Sequence, residues 1–293
     1  MYKRQVFWPV AMDFKRSDVE AMPDKSIAVS FINGAVRTSE QEEMVKLLRK
    51  KSQMVIAFGS CAHLGGIPGL ANFWDRKSIF ERAYKEVPSL ENSNNVFPQT
   101  KTQVKEGELE LPEFYDTVYA LDQVIDVDYY IPGCAPPPDI IMNGVEAILK
   151  GELPPKGTVL APDRALCDTC PLKDSKSEKI SIKEIKRVHE TEFDPEKCFL
   201  EQGIICLGPA TRSGCGERCI NAKMPCRGCF GPTSAVIDQG AKMLSALASI
   251  LGLEDEEKMS EEDVTKLLDQ IADPAGTFYR FSLPTSILRR RRM

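Results

Sequence analysis

A chain of 293 residues, 42% of them hydrophobic, is long enough for one large or two ordinary domains with a substantial core. It holds no run of about 18 apolar residues, which excludes a bilayer-spanning helix on the sequence. Its formal net charge of −5 argues against nucleic acid as the main partner.

In chain order, Val6–Met12 reads as an apolar strand. The residues ahead of it, Met1–Gln5, show no signal-peptide architecture. They resemble the translated end of a transposon adapter, so the natural chain is expected to begin further upstream. Ser26–Asn33, rich in Ile, Val and Phe, is a second strand. Ser39, with Glu42 as a capping-box partner, is expected to cap a helix over Glu40–Lys50. Met54–Gly59 and Val127–Ile131 are further strands, and Pro136-Pro137-Pro138 opens a helix through Asp139–Lys150. Short, almost wholly apolar strands separated by helices imply a parallel sheet covered on both faces. Leu70–Leu121 is less regular, with Asn92–Asn95 and Glu106–Glu113 expected as loops and Glu152–Gly157 as a linker. Beyond it, Ser234–Leu251 carries helical periodicity, and Glu254–Ala272 reads as an acidic amphipathic helix or helix pair.

The chemistry concentrates in sulfur. The chain has 10 cysteines, too sparse for a disulfide-stapled secreted domain. Most of them crowd into Cys167–Cys229, which points to metal ligation in a reducing compartment. Cys61 (Gly59-Ser60-Cys61-Ala62) and Cys134 (Pro132-Gly133-Cys134-Ala135) each follow a strand directly. In an open parallel sheet such loops line the ligand crevice. Two thiols there could share a ligand, or each could be a small buried hydrophobe; a four-iron cluster takes four protein ligands, so this pair alone is incomplete. In the second half stand Cys167-Asp168-Thr169-Cys170, then Cys198 and Cys206, then Cys215, Cys219, Cys226 and Cys229. They divide into two sets of four. The competing reading is structural zinc, which favours paired C-x2-C halves of similar form. The unequal spacings here, in a Gly-rich setting, suit iron–sulfur clusters better.

His63 reads as a satisfied loop histidine, and His189 in a charged stretch as a surface residue. The Arg289–Arg292 tail reads as solvated. No Ser/His/Asp set, P-loop or dinucleotide fingerprint appears, so no catalytic residue is assigned.

These motifs resemble the small subunit of NiFe hydrogenases, and most of all the methyl-viologen-reducing type associated with heterodisulfide reductase, within the NADH:quinone oxidoreductase 20 kDa subunit-like superfamily. The resemblance rests on Gly59-Ser60-Cys61-Ala62 with Gly65-Gly66-Ile67-Pro68-Gly69, on Pro132-Gly133-Cys134, and on Glu201-Gln202-Gly203 through Cys229-Phe230-Gly231-Pro232. It implies an α/β protein: a flavodoxin-like parallel-sheet domain over residues 1–155, then an irregular, mostly helical iron–sulfur cluster domain over 156–293. It implies a 4Fe-4S cluster on Cys167, Cys170, Cys198 and Cys206, and a second on Cys215, Cys219, Cys226 and Cys229. Cys61 and Cys134 match two ligands of a third, proximal 4Fe-4S cluster. The C-x-x-C pair that completes that site in the family is absent here, and Asn33 stands where relatives often carry an acidic residue. The implied function is cytoplasmic electron relay between a hydrogenase large subunit and a downstream acceptor, such as heterodisulfide reductase or its iron–sulfur adaptor. A deazaflavin-reducing hydrogenase and a zinc-stabilised scaffold are the alternatives. A third reading, the cluster subunit of respiratory complex I, is disfavoured because its hallmark pair of adjacent cysteines is absent here and it lacks the eight-cysteine segment.

Overall fold

The computed structural model describes residues 5–9, 11, 15–251 and 261–290. Its first half alternates strands and helices: α1 (Arg16–Glu20), β1 (Ile27–Asn33), β2 (Val36–Thr38), α2 (Ser39–Lys51), β3 (Ser52–Phe58), α3 (Ser60–Leu64) and α4 (Arg76–Glu81). β4 (Lys101–Val104), β5 (Gly107–Glu110), β6 (Phe114–Tyr119), β7 (Tyr129–Ile131) and α5 (Pro138–Lys150) follow. The central sheet has the order β1-β3-β7 and is parallel throughout, with Ile27 opposite Ser52 and Phe58 opposite Ile131. Its middle strand is buried on both faces, as its unbroken apolar run requires. Val55 and Ala57 face a core with Ile32, Val45 and Leu121, while Ile56 packs with Tyr129, Ile131, Ile140 and Phe230. Phe230 comes from the second half and fastens it to the sheet.

α2 begins one residue before the position the capping pattern indicated. Thr38 is the cap: its hydroxyl accepts the Gln41 N–H at 3.3 Å, and the Gln41 side chain accepts the Thr38 N–H at 3.1 Å. Ser39 instead accepts the Glu113 N–H, and Glu42 accepts the Tyr115 hydroxyl, so both are engaged by the β6 strand and its lead-in.

Three other expectations are corrected. Residues 5–9 and 11 form no strand, while 10 and 12 lie outside the described residues. Pro9 lacks the N–H that a ladder needs, and Trp8 is exposed. Glu106–Glu113 is not simply loop: β4 and β5 form an antiparallel hairpin turning near Gly107, with Lys101 pairing across it to Glu108 and Glu110. Its exposed, charged residues hid the strand alternation. β6, which pairs with β2, was likewise not anticipated. Finally, the expected linker is docked. Gly157 N–H donates to the Asp128 carbonyl, Lys156 pairs with the Asp128 carboxylate at 2.5 Å, and Val159 bridges Tyr130 in parallel.

After β7 no strand occurs among the described residues. Short helices follow: α6 (Leu166–Thr169), α7 (Arg218–Asn221), α8 (Gln239–Ala248), α9 (Glu261–Asp269) and α10 (Pro274–Phe278). α8 starts where the Asp238 carboxylate accepts the Ala241 N–H at 2.8 Å, later than the periodicity from Ser234 suggested. Of the anticipated helix Glu254–Ala272, α9 lies inside the described residues and 252–260 outside them. This half has its own core, built on Leu166, Phe199, Leu207, Met243, Leu247 and Leu283. Each such buried side chain contributes roughly 1.5–3 kcal/mol.

Candidate functional site

The sheet delivers Cys61 and Cys134 to one edge. The β3–β7 pairing continues past the strand ends, with Gly59 N–H donating to the Ile131 carbonyl at 2.7 Å and Ser60 N–H to Gly133 at 2.8 Å. Both cysteine loops therefore leave the sheet side by side, and the two sulfurs fall within electrostatic reach of each other. Cys134 is exposed and Cys61 half-buried, the latter's thiol pushed up by burial. Gly66 covers Cys61: a Cβ there would stand 2.5 Å from its sulfur.

The second half encloses most of its thiols more fully, Cys206 and Cys226 being buried, although Cys219 is exposed. Cys167 on α6 and Cys170 just past its C-terminal end, with Cys198 and Cys206 from the following loops, line a single pocket. Leu166, Leu172, Phe199, Leu200 and Ile220 form its apolar wall, with Lys176 among the lining residues. Gly208 is the cradle: a Cβ there would meet the Cys167 sulfur at 2.9 Å and that of Cys206 at 3.7 Å. The sulfurs line a space rather than meet at a point. Among the described residues, no three His, Cys, Asp or Glu side chains are gathered tightly enough for a single metal ion. Burial pushes the Cys167 thiol up to about 11 and Cys206 up to about 12. These pockets disfavour a bare thiolate; a cationic metal centre reverses that preference. Soft donors, half-buried or buried, around a space that Gly208 leaves open fit an iron–sulfur group.

Cys215, Cys219 and Cys229 lie within one another's field, and Cys226 within that of Cys229. Burial again raises Cys229, to about 11, and holds Cys226 well above the ordinary thiol value. Two contacts connect this set outward. The Cys226 N–H donates to the Cys206 sulfur at 3.2 Å, while the Leu207 N–H donates to the Cys226 carbonyl at 3.0 Å. On the other side Cys229 lies within the field of Cys134, and the Ser60 hydroxyl donates to the Cys229 carbonyl. All ten cysteines are free thiols.

The remaining candidates separate. His63 is not a satisfied loop residue: it sits in α3, is buried, and its Nδ1 has no partner. Burial, reinforced by the charge of Arg212, pushes it down to about 3, and its ring lies 4.7 Å from that of Tyr130. His189 is a surface residue beside Glu190, as expected. The tail is anchored as far as Arg290, which pairs with Asp116 and donates to Thr117, so it is less solvated than its composition suggested; Arg291 and Arg292 lie outside the described residues. Asn33 ends β1 at the same sheet edge and is exposed. Lys176 was missed, because one lysine in a run of alternating charges carries no motif.

Comparison with known proteins shows the family. Residues 4–148 match the family described as NADH ubiquinone oxidoreductase, 20 Kd subunit. The iron–sulfur subunit of the F420-non-reducing hydrogenase of Archaeoglobus profundus is 43% identical over 98% of this chain and 88% of that protein. A subunit of the F420-non-reducing hydrogenase of Methanothermobacter marburgensis is 38% identical over 96% of this chain and 84% of its own. A solved NAD+-reducing NiFe hydrogenase in the H2-reduced state aligns with 48% of this chain and 70% of its own, at 23% identity and a TM-score of 0.40. The class is thus an oxidoreductase component, a hydrogenase small subunit with a parallel-sheet α/β core. Within that class the chain belongs to the family of F420-non-reducing hydrogenase iron–sulfur subunits.

Proposed function

We propose that the chain relays single electrons between a NiFe hydrogenase large subunit and a downstream acceptor, with its ten cysteines as ligands. The observation that carries this reading is the order of the sulfurs. Cys134, itself beside Cys61, adjoins Cys229 of the second set, and Cys226 of that set adjoins Cys206 of the first. Cys167, Cys170, Cys198 and Cys206 hold one 4Fe-4S cluster, and Cys215, Cys219, Cys226 and Cys229 another. Cys61 and Cys134 supply half of a third, proximal site, whose other two thiolates come from a C-x-x-C pair absent from this sequence. Bound clusters supply one-electron exchange with no bond broken in substrate. The protein's own part is to hold the thiols in place, exclude water with Leu166, Phe199 and Ile220, and release the cysteine protons on loading.

Among the described residues no helix is long and apolar enough to cross a membrane. We place the activity in the cytoplasm, with heterodisulfide reductase or its iron–sulfur adaptor as the acceptor. The F420-non-reducing name of the relatives disfavours the deazaflavin-reducing alternative, F420 being a deazaflavin. The test is to purify the chain with a hydrogenase large subunit and follow cluster absorbance under H2. Bleaching that is weakened by Cys226→Ser supports the relay, and H2-insensitive absorbance contradicts it. Fusing an N-terminal segment with C-x-x-C should add about four irons per chain. No gain would refute the assignment of Cys61 and Cys134.

A further inference from the structure

The pocket lined by Cys167, Cys170, Cys198 and Cys206 is otherwise apolar except for Lys176. This lysine is held there by its own loop. The Ser175 hydroxyl accepts the Cys198 N–H at 2.8 Å, and Ser177 donates to Glu201 through its N–H at 2.6 Å and its hydroxyl at 2.7 Å. The loop is therefore clipped on both sides of Lys176. Neighbouring cations are neutralised: Lys186 by Glu184, Arg187 by Glu190 and Lys197 by Asp194. Lys176 makes no such ion pair among the described residues.

We propose that Lys176 is a positioning residue that raises the reduction potential of the centre held by Cys167, Cys170, Cys198 and Cys206. The inference rests on the ligand reading above. A centre bound by four thiolates is anionic and becomes more so by one charge when it gains the electron that the other centre loses. A cation beside it favours the reduced form more than the oxidised one. The other charges near the sulfurs do not make this distinction. Arg227 faces Cys206 and Cys226, one from each set. Glu217 faces Cys170 and Cys215, again one from each. Asp168 faces Cys167 but is exposed, where water screens it. Lys176 acts on Cys167 and Cys170, both of the first set.

The test is an EPR-monitored redox titration of the full chain and of its Lys176→Gln, Lys176→Met and Lys176→Arg variants, with iron and sulfide measured in each. The centre abolished by Cys167→Ser identifies the first set. The neutral variants should lower that centre's potential by a tenfold change in its reduction equilibrium, ~59 mV for one electron. The second centre should stay put, and Lys176→Arg should restore the original value. Unmoved potentials with iron intact would overturn the proposal. So would loss of that centre's iron in both neutral variants, which would give the lysine a structural role. The ligand reading fails separately, if Cys167→Ser leaves both centres unchanged.

Discussion

The sheet edge and the irregular half solve the same problem to different degrees. At the sheet edge two strand ends deliver two thiols, one of them exposed. In the second half four thiols surround one pocket whose wall, through Leu166, Phe199 and Leu200, is also the hydrophobic core. A parallel sheet positions residues at its strand ends but encloses nothing beyond them, so the site there depends on partners from elsewhere. In the irregular half, the core and the cysteine pocket are one structure. Its stability should therefore depend on metal, and that of the sheet should not.

The largest expected effect is on metal content. Cys226→Ser should remove one centre, about four of about eight irons, and leave the other's absorbance; retention of all the iron would show that Cys226 is not a ligand. Next, chelation of iron should collapse amide-exchange protection across residues 166–231 while β1 and β3 keep theirs. Equal loss in both regions would erase the contrast between them. Within the second core, Leu247→Ala, at a fully buried position on α8, should cost about 2–5 kcal/mol, read as a lowered denaturation midpoint. In the sheet half, Asp128 receives Arg49 at 2.6 Å, Lys156, and the Val55 N–H at 2.8 Å, and these hold its carboxyl down at about 2 against its own burial. Its folded value lies below the unfolded one. The stabilisation, about 2 kcal/mol, is thus fully present above about pH 4 and lost as pH falls toward 2. Asp128→Asn should remove that acid dependence, as acid unfolding monitored by circular dichroism would show. The smallest effect is expected for His189→Ala, within about 0.5 kcal/mol by thermal denaturation, because the side chain is exposed.

Much of this was legible in the sequence, for identifiable reasons. The strands at Ile27–Asn33, Ser52–Phe58 and Tyr129–Ile131 announce themselves by short runs of apolar residues, longest in the central strand, where Met54–Phe58 is covered on both faces. The β4–β5 hairpin does not, since it is largely exposed and its polar and charged residues Lys101, Thr102, Gln103, Glu108 and Glu110 show no apolar alternation. Val6–Met12 misled in the opposite direction: an apolar run with a proline in it has no obligation to pair. At the site, the cysteines mark themselves by type and spacing. What surrounds them does not. His63 stands beside Cys61 in sequence, yet only the fold shows that it is buried with Nδ1 unpartnered. Lys176 reaches the pocket through a loop clipped by Ser175 and Ser177, a relation with no sequence period.

The most direct measurement is iron, acid-labile sulfide and zinc per chain in the purified, anaerobically handled protein, with thiols counted alongside. Two four-iron cages predict about eight irons and about eight sulfides, with no zinc. Stoichiometric zinc without sulfide, or second-half cysteines joined as disulfides, would contradict an electron-carrying role for this half of the molecule.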